Sequence, residues 1–291
     1  MVIATVMGAL PAMAGVVVRD DLDREVVIAA PAQRIVSLAP HITELLFAAG
    51  AGERLVGVVA YSNYPEAARA LPQVGSHDSI DIEAIAALRP DLVIAWESGN
   101  RSIHLDKLKA LRIPIYLNES RRLEDVAHTI EAFGHLAGTA HTAQPAADLF
   151  RARVRALADR YGRRPVVRTF YQIWDQPLMT VNRHHLISEV IRLCGGENVF
   201  GELAQLAPTI GVEGVLAADP EVIVASGMGE ARPEWLDQWR RWPGIQASHA
   251  DNLYFIPPDL IQRHTPRILD GATLLCRYLE EARAKRAIPE N

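Results

Sequence analysis

Cysteine and lysine are nearly absent from this 291-residue chain. The two cysteines, Cys194 and Cys276, stand too far apart for a zinc ribbon, which needs closely spaced ligand pairs. Lysine occurs only at 107, 109 and 285, so arginine supplies almost all of the 30 basic residues. They face 35 acidic residues, and the net charge is −5. That balance offers no basic surface to neutralise phosphates and excludes a general nucleic-acid binder. Apolar runs are too short and too interrupted to cross a bilayer as a helix. The catalytic signatures are missing as well: there is no G-x-S-x-G elbow, no Walker A loop and no H-E-x-x-H. Gly50-Ala51-Gly52 lacks the third glycine of a dinucleotide fingerprint and follows a helical pattern instead of a strand. Nothing assembles into a nucleophile, base and acid, which favours a binding protein over an enzyme. With 49% hydrophobic and 22% charged residues the chain is not disordered, and its length suits one large domain or two of average size.

Residues 1–14 read MVIATVMGALPAMA, an apolar stretch closing in the small-x-small pattern that signal peptidase accepts. A basic leading region is missing, so the signal is incomplete. The expectation is export, the alternative a buried N-terminal segment. No cysteine lies near residue 15, which argues against a lipid anchor. In an oxidising compartment Cys194 and Cys276 would close a loop of about 80 residues, worth roughly 4–5 kcal/mol in the loop-entropy description. Two buried free thiols are the equal alternative.

An internal repeat sets the architecture. Residues 82–99 (IEAIAALRPDLVIAWESG) and 212–229 (VEGVLAADPEVIVASGMG) share one pattern. Each reads as a helix stopped by Pro90 or Pro220 that feeds a buried strand, at 92–95 or 222–225. Upstream, a strand at 35–38 precedes a helix with Thr43-Glu44-Leu45, and one at 179–181 precedes a helix with Ser188-Glu189-Val190. Gly50 and Gly195 follow these helices as left-handed caps. Alternation of strand and helix predicts α/β structure with parallel sheets in two similar Rossmann-like lobes, 31–142 and 164–291. The stretch 143–163 lies between them. From Pro145 to Gly162 its apolar residues recur at helical spacing, which predicts one long linker helix of roughly 27 Å and a ligand cleft between the lobes.

Several segments resemble the periplasmic cobalamin-binding proteins of ABC-type vitamin importers: 34–50 (RIVSLAPHITELLFAAG), 57–68 (GVVAYSNYPEAA), 88–100 (LRPDLVIAWESGN), 193–200 (LCGGENVF) and 259–267 (DLIQRHTPR). The likeness spans about 33–283. It implies a protein that captures cobalamin or a related corrinoid and delivers it to the permease dimer of an ABC importer, as a periplasmic monomer. Cobalamin is then cargo, and no resident cofactor is expected. The resemblance places Tyr61 against the corrin, with Trp96 beside it, and puts Asp259 and Arg263 opposite them in the other lobe. A corrin offers an apolar face to aromatics and a rim of amides to charged partners.

The chain also departs from that pattern. His77 stands where the family has a tryptophan, Ala207 replaces a second one, and Leu260-Ile261-Gln262 lacks the aromatics common in the Asp–Arg loop. Trp174 and Tyr171 are extra aromatics that could compensate. His77 is a candidate axial ligand of cobalt or iron, and His41, which opens a helix after Pro40, is a further cleft candidate. Glu83 and Glu213 hold equivalent positions at helix N-termini. The helix dipole alone would favour acids there, while the resemblance makes them the pair that docks onto permease arginines, one per subunit. It also implies a Cys194–Cys276 disulfide. The wider family carries haem and ferric siderophores too. Two or more cleft histidines with a tyrosine would favour haem, and an arginine-rich cleft an anionic siderophore. An enzyme acting on a metal–tetrapyrrole is the remaining alternative.

Overall fold

Strands that are apolar on both faces need cover on both faces, and the computed structural model shows how this chain supplies it. It describes residues 15–76, 79–227, 229 and 231–286, so the expected export segment lies outside the described residues. The described chain begins with a hairpin, β1 (Val16–Arg19) antiparallel to β2 (Glu25–Ile28). Asp20 closes its turn by accepting from the main-chain N–H groups of Leu22 (3.0 Å) and Arg24 (2.9 Å).

In the first half, β3 (Ile35–Ser37) leads into α1 (Pro40–Ala48), then β4 (Leu55–Val58), α2 (Ile82–Ala87), β5 (Leu92–Trp96), α3 (Ser102–Ala110), β6 (Ile115–Asn118) and α4 (Leu123–Ala137). A single helix, α5 (Ala140–Tyr161), crosses to the second half. There β7 (Val167–Gln172) is followed by α6 (Leu186–Leu193), β8 (Gly196–Asn198), α7 (Val212–Ala218), β9 (Val222–Ala225), α8 (Gln246–His249), β10 (Leu253–Phe255), α9 (Pro258–Ile261) and α10 (Ile268–Arg286). The two sheets are wholly parallel, in the orders β4-β3-β5-β6 and β8-β7-β9-β10. Each strand of one sheet therefore has a counterpart at the same place in the other, as the repeat predicts.

The repeat's Pro-Asp and Pro-Glu dipeptides do more than stop helices. Asp91 accepts from the N–H groups of Gln33 (2.8 Å) and Arg34 (3.0 Å), and Glu221 accepts from that of Arg168 (2.8 Å). The Arg34 guanidinium reaches the carbonyl of Leu88 (2.7 Å), and that of Arg168 reaches Ala218 (2.5 Å). Each acid–arginine pair thus ties the start of β3 or β7 to the C-terminal end of the repeat helix, α2 or α7. One upstream part of the repeat differs: residues 179–181 form no strand. Met179 makes only isolated bridges to Trp174 and Thr209, and the counterpart of β3 is β7.

Each sheet buries its outer face in a local apolar cluster, around Val36, Val93 and Leu108 in the first lobe and around Phe170, Ile223 and Trp239 in the second. The inner faces share one continuous core through α1, α4, α5, α6 and α10. The crossing helix is longer than expected and starts before Pro145. Proline there forfeits one helical bond, but residue 141, whose carbonyl is released, is exposed and water can take it. Gly134 permits the close packing of α4 on α5, because a Cβ in its place would lie 2.2 Å from that of Ala143. A covalent tie completes the second lobe: Cys194, which ends α6, is bonded to Cys276 in α10, with Cα atoms 4.6 Å apart.

Candidate functional site

In open parallel sheets, ligands bind at the carboxyl ends of the strands, and both lobes turn those ends toward a shared cleft. Pro40 and His41 follow β3, Tyr61 to Tyr64 follow β4, Trp96 closes β5 and Asn118 closes β6. From the second lobe, Trp174 follows β7, Gly227 follows β9, and Asp259 to Arg267 follow β10.

Trp96 is held by its own loop. Asn100 accepts from the main-chain N–H of Trp96 (2.7 Å) and donates to the carbonyl of Leu38 (3.0 Å), pinning the Trp-x-x-Gly-Asn segment to β3. Gly99 is required, since a Cβ there would fall 1.8 Å from the indole. The ring meets His41 edge-on, with centroids 5.2 Å apart. His41 in turn is oriented by the N-terminal hairpin. Asp21 accepts from the Asn118 amide (2.8 Å), so the Asn118 oxygen faces the His41 Nε2 at 3.0 Å and that nitrogen carries the proton.

Two further histidines from the second half pack beside His41. His264 lies 6.4 Å from His41 and 5.7 Å from His185, between ring centroids. His185 also caps α6, its Nδ1 accepting from the N–H of Ile187 at 3.1 Å. Burial, then the neighbouring His264, pushes His41 and His185 each down to about 3, and burial lowers His264 as well. All three rings are therefore neutral at pH 7. Among the described residues, no group of three or more His, Cys, Asp or Glu is arranged to hold a metal ion.

A pH dependence follows from the depressed values. Unfolded, each imidazole titrates near 6.5, so between pH 6.5 and about 3 the unfolded state binds more protons. Stability is complete above pH 6.5 and falls on acidification, by up to about 2 kcal/mol per imidazole between pH 6.5 and pH 5. Urea unfolding at pH 7 and pH 5 should show the loss, and His185→Gln should reduce it. Equal stability at both values in the unmodified protein would contradict buried neutral rings.

The charged residues meet across the cleft. Arg263 pairs with Asp259 (2.9 Å), and Arg263 Nη1 donates to Glu44 Oε1 (2.7 Å) and Asn63 Oδ1 (2.7 Å). Its Nη2 donates to the Tyr61 carbonyl at 3.2 Å. Asp259 and Arg263 are thus part-buried and engaged with the opposite lobe, unlike an exposed ion pair. Tyr61 has a left-handed backbone (φ 65°), and the residue is 77% exposed. Tyr64 lies under the Arg267 guanidinium, 4.0 Å from it. Glu44, Asn63, His185, His264 and Arg267 were not singled out by the sequence reading. The one signal for Glu44 was an acid inside an otherwise apolar helix.

Trp174 is 36% exposed and lines a hollow of about 420 Å³ with Asp175, Gln176, Gly227 and Trp235. Tyr171 is wholly buried, so it cannot serve as a compensating aromatic for a ligand. The reason is strand alternation within a sheet covered on both faces. His77 lies outside the described residues. Glu83 and Glu213 are both exposed, each in the first turn of its helix, α2 and α7.

Two parallel α/β lobes, one crossing helix and a cleft at the carboxyl edges of both sheets define a two-lobed solute-binding protein. The chain belongs to the periplasmic binding protein family, whose pattern it matches over residues 35–260. It is 40% identical to the vitamin B12-binding protein of Vibrio cholerae over 253 residues, 87% of this chain and 91% of that one. It is 39% identical to the Yersinia pestis vitamin B12-binding protein over 252 residues, 85% and 86% of the two chains. The crystal structure of the periplasmic vitamin B12 binding protein of Vibrio cholerae superposes with a TM-score of 0.79 at 39% identity, covering 87% of this chain and 98% of that one. A periplasmic heme binding protein from Pseudomonas aeruginosa shares the fold alone, with a TM-score of 0.73 at 24% identity over 84% of this chain and 91% of its own. No helix among the described residues is long and apolar enough to cross a membrane.

Proposed function

We propose that this protein captures cobalamin, or a closely related corrinoid, in the cleft between its lobes and delivers it to the permease dimer of an ABC importer. The observation that carries the reading is the facing of aromatic and charged groups, in a chain with vitamin B12-binding relatives across most of its length. Tyr61 and Trp96 stand at the carboxyl edge of one sheet, Trp174, Asp259 and Arg263 at that of the other. Aromatic rings cover the apolar faces of a corrin, and the guanidinium and carboxylate take its rim amides. His41 adds a neutral N–H-bearing ring to the floor, and His77 is an axial-ligand candidate. Function is capture, without chemistry, and the cargo is not a cofactor.

The first lobe then runs over 31–142 and the second over 164–291, with 143–163 as the stiff connection that limits opening. Residues 1–14 direct export to the periplasm, where the protein works as a monomer. Exposed Glu83 and Glu213 face the permease as an equivalent pair, setting orientation and encounter rate.

Titration calorimetry with cyanocobalamin, and with haemin in parallel, tests the reading. One-to-one binding of cyanocobalamin alone is expected. Tyr61→Ala should weaken it about thirtyfold, the scale for truncating an aromatic anchor. The meeting of His41, His185 and His264 favours haem as the second reading, and tight haemin binding without cobalamin binding would establish it in place of the first.

A further inference from the structure

The internal repeat carries another pair of acids, Glu44 in Thr43-Glu44-Leu45 and Glu189 in Ser188-Glu189-Val190. Both sit in helices among buried residues, where a carboxylate is unfavourable unless it is bonded. Each finds its partner in the opposite lobe. Glu189 Oε2 accepts from the N–H of Leu123 at 2.7 Å, at the N-terminus of α4, where free amides favour an anion. Glu44, only 4% exposed, accepts at Oε1 from Arg263 (2.7 Å) and Arg267 Nη2 (2.6 Å), and at Oε2 from Arg267 Nε (2.9 Å). The repeat thus crosses the cleft twice, once in each direction.

We propose that Glu44 is a positioning residue for the ligand. It bolts the lobes together through Arg267 and thereby holds Arg263 aimed along the cleft. This rests on the corrinoid reading for the role of Arg263, though not for the bolt itself. The two arginines are bound unequally. Arg267 grips both carboxylate oxygens and stacks over Tyr64 at 4.0 Å, an arrangement with little freedom. Arg263 shares a single oxygen of Glu44 and spreads its other bonds over Asn63, Asp259 and the Tyr61 carbonyl, so part of that set can be exchanged for a ligand acceptor. Charge is balanced, with Glu44 and Asp259 facing Arg263 and Arg267. Without the Glu44 charge, two guanidiniums face one carboxylate and repel, and Arg263 keeps only its neutral contacts with Asn63 and the Tyr61 carbonyl on the first lobe.

The test is a double-mutant cycle in cyanocobalamin affinity on the full chain. Glu44→Gln and Arg263→Met should each weaken binding about thirtyfold or more, as removal of one partner from a desolvated charge pair does. Together they should be no worse than Arg263→Met alone, because Glu44 acts through Arg263. Multiplying effects, or an unimpaired Glu44→Gln, would overturn the proposal. Glu44→Gln combined with Arg267→Met restores charge balance and should regain thermal stability without regaining affinity. Recovery of both would leave Glu44 a purely structural role. Should the unmodified protein bind no corrinoid, the functional reading falls, and the bolt is judged by small-angle scattering. Glu44→Gln should enlarge the radius of gyration of the ligand-free protein, and an unchanged radius would remove the bolt as well.

Discussion

Reversing both exposed acids, Glu83→Lys with Glu213→Lys, is expected to abolish delivery to a reconstituted permease while leaving ligand affinity unchanged. Each side chain projects from the first turn of a helix, and α2 is fixed by Asp81, whose carboxylate accepts from the N–H of Ala84 at 2.9 Å. The local effect of a reversal is small. Losing an acid at a helix N-terminus costs about 0.3–1 kcal/mol, too little to unfold the protein. At an interface with arginines the same change sets like charges together, which costs several kcal/mol per contact, and both contacts are lost at once. Transport should fall about a hundredfold or more, the single reversals should give intermediate losses, and rates in the unmodified system should decline with salt. Full transport by the doubly reversed protein would remove the docking role.

Removing the disulfide should produce the largest loss of stability. Cys194 and Cys276 are both wholly buried and close a loop with a sequence separation of 82 residues. The loop-entropy description assigns about 4–5 kcal/mol to a closure of that length. Paired Cys→Ala substitution is therefore expected to lower the thermal midpoint by about 10 °C, with a similar fall in the unmodified protein under strong reductant. Because the bond joins α6 to α10 within the second lobe, ligand affinity well below the midpoint should stay the same. A midpoint within a degree or two of the original would show that packing of α10, not the covalent link, holds the lobe.

The elements of the cleft were legible to different degrees. Trp96 and Asn100 stand in one continuous motif, and the structure explains its spacing: four residues bring the Asn100 amide back to the Trp96 N–H, and Gly99 clears the indole. Pro145 misled, because proline at a helix start is common and the pattern after it was complete, yet α5 begins five positions earlier on an exposed face where the missing bond is tolerable. Tyr171 and Trp174 are three residues apart and look alike in a sequence. One is a buried strand position and the other follows the strand's end, a difference of sheet register that composition does not carry.

By itself the sequence determined the doubling of an α/β unit, the parallel sheets and the helix between them, since helical period, apolar runs and the Pro-acid stops are local and repeat at a fixed spacing. The resemblance carried by its motifs added the family. Only the tertiary structure decided which side chains meet across the cleft. Glu44 and Arg267 are 223 positions apart, and His41, His185 and His264 come from the first turn of α1, the start of α6 and the link between α9 and α10. Such contacts depend on how two lobes, tied by one helix and one shared core, are set against each other. No local pattern records that arrangement, and the bonds that exploit it appear in the chain as isolated polar residues.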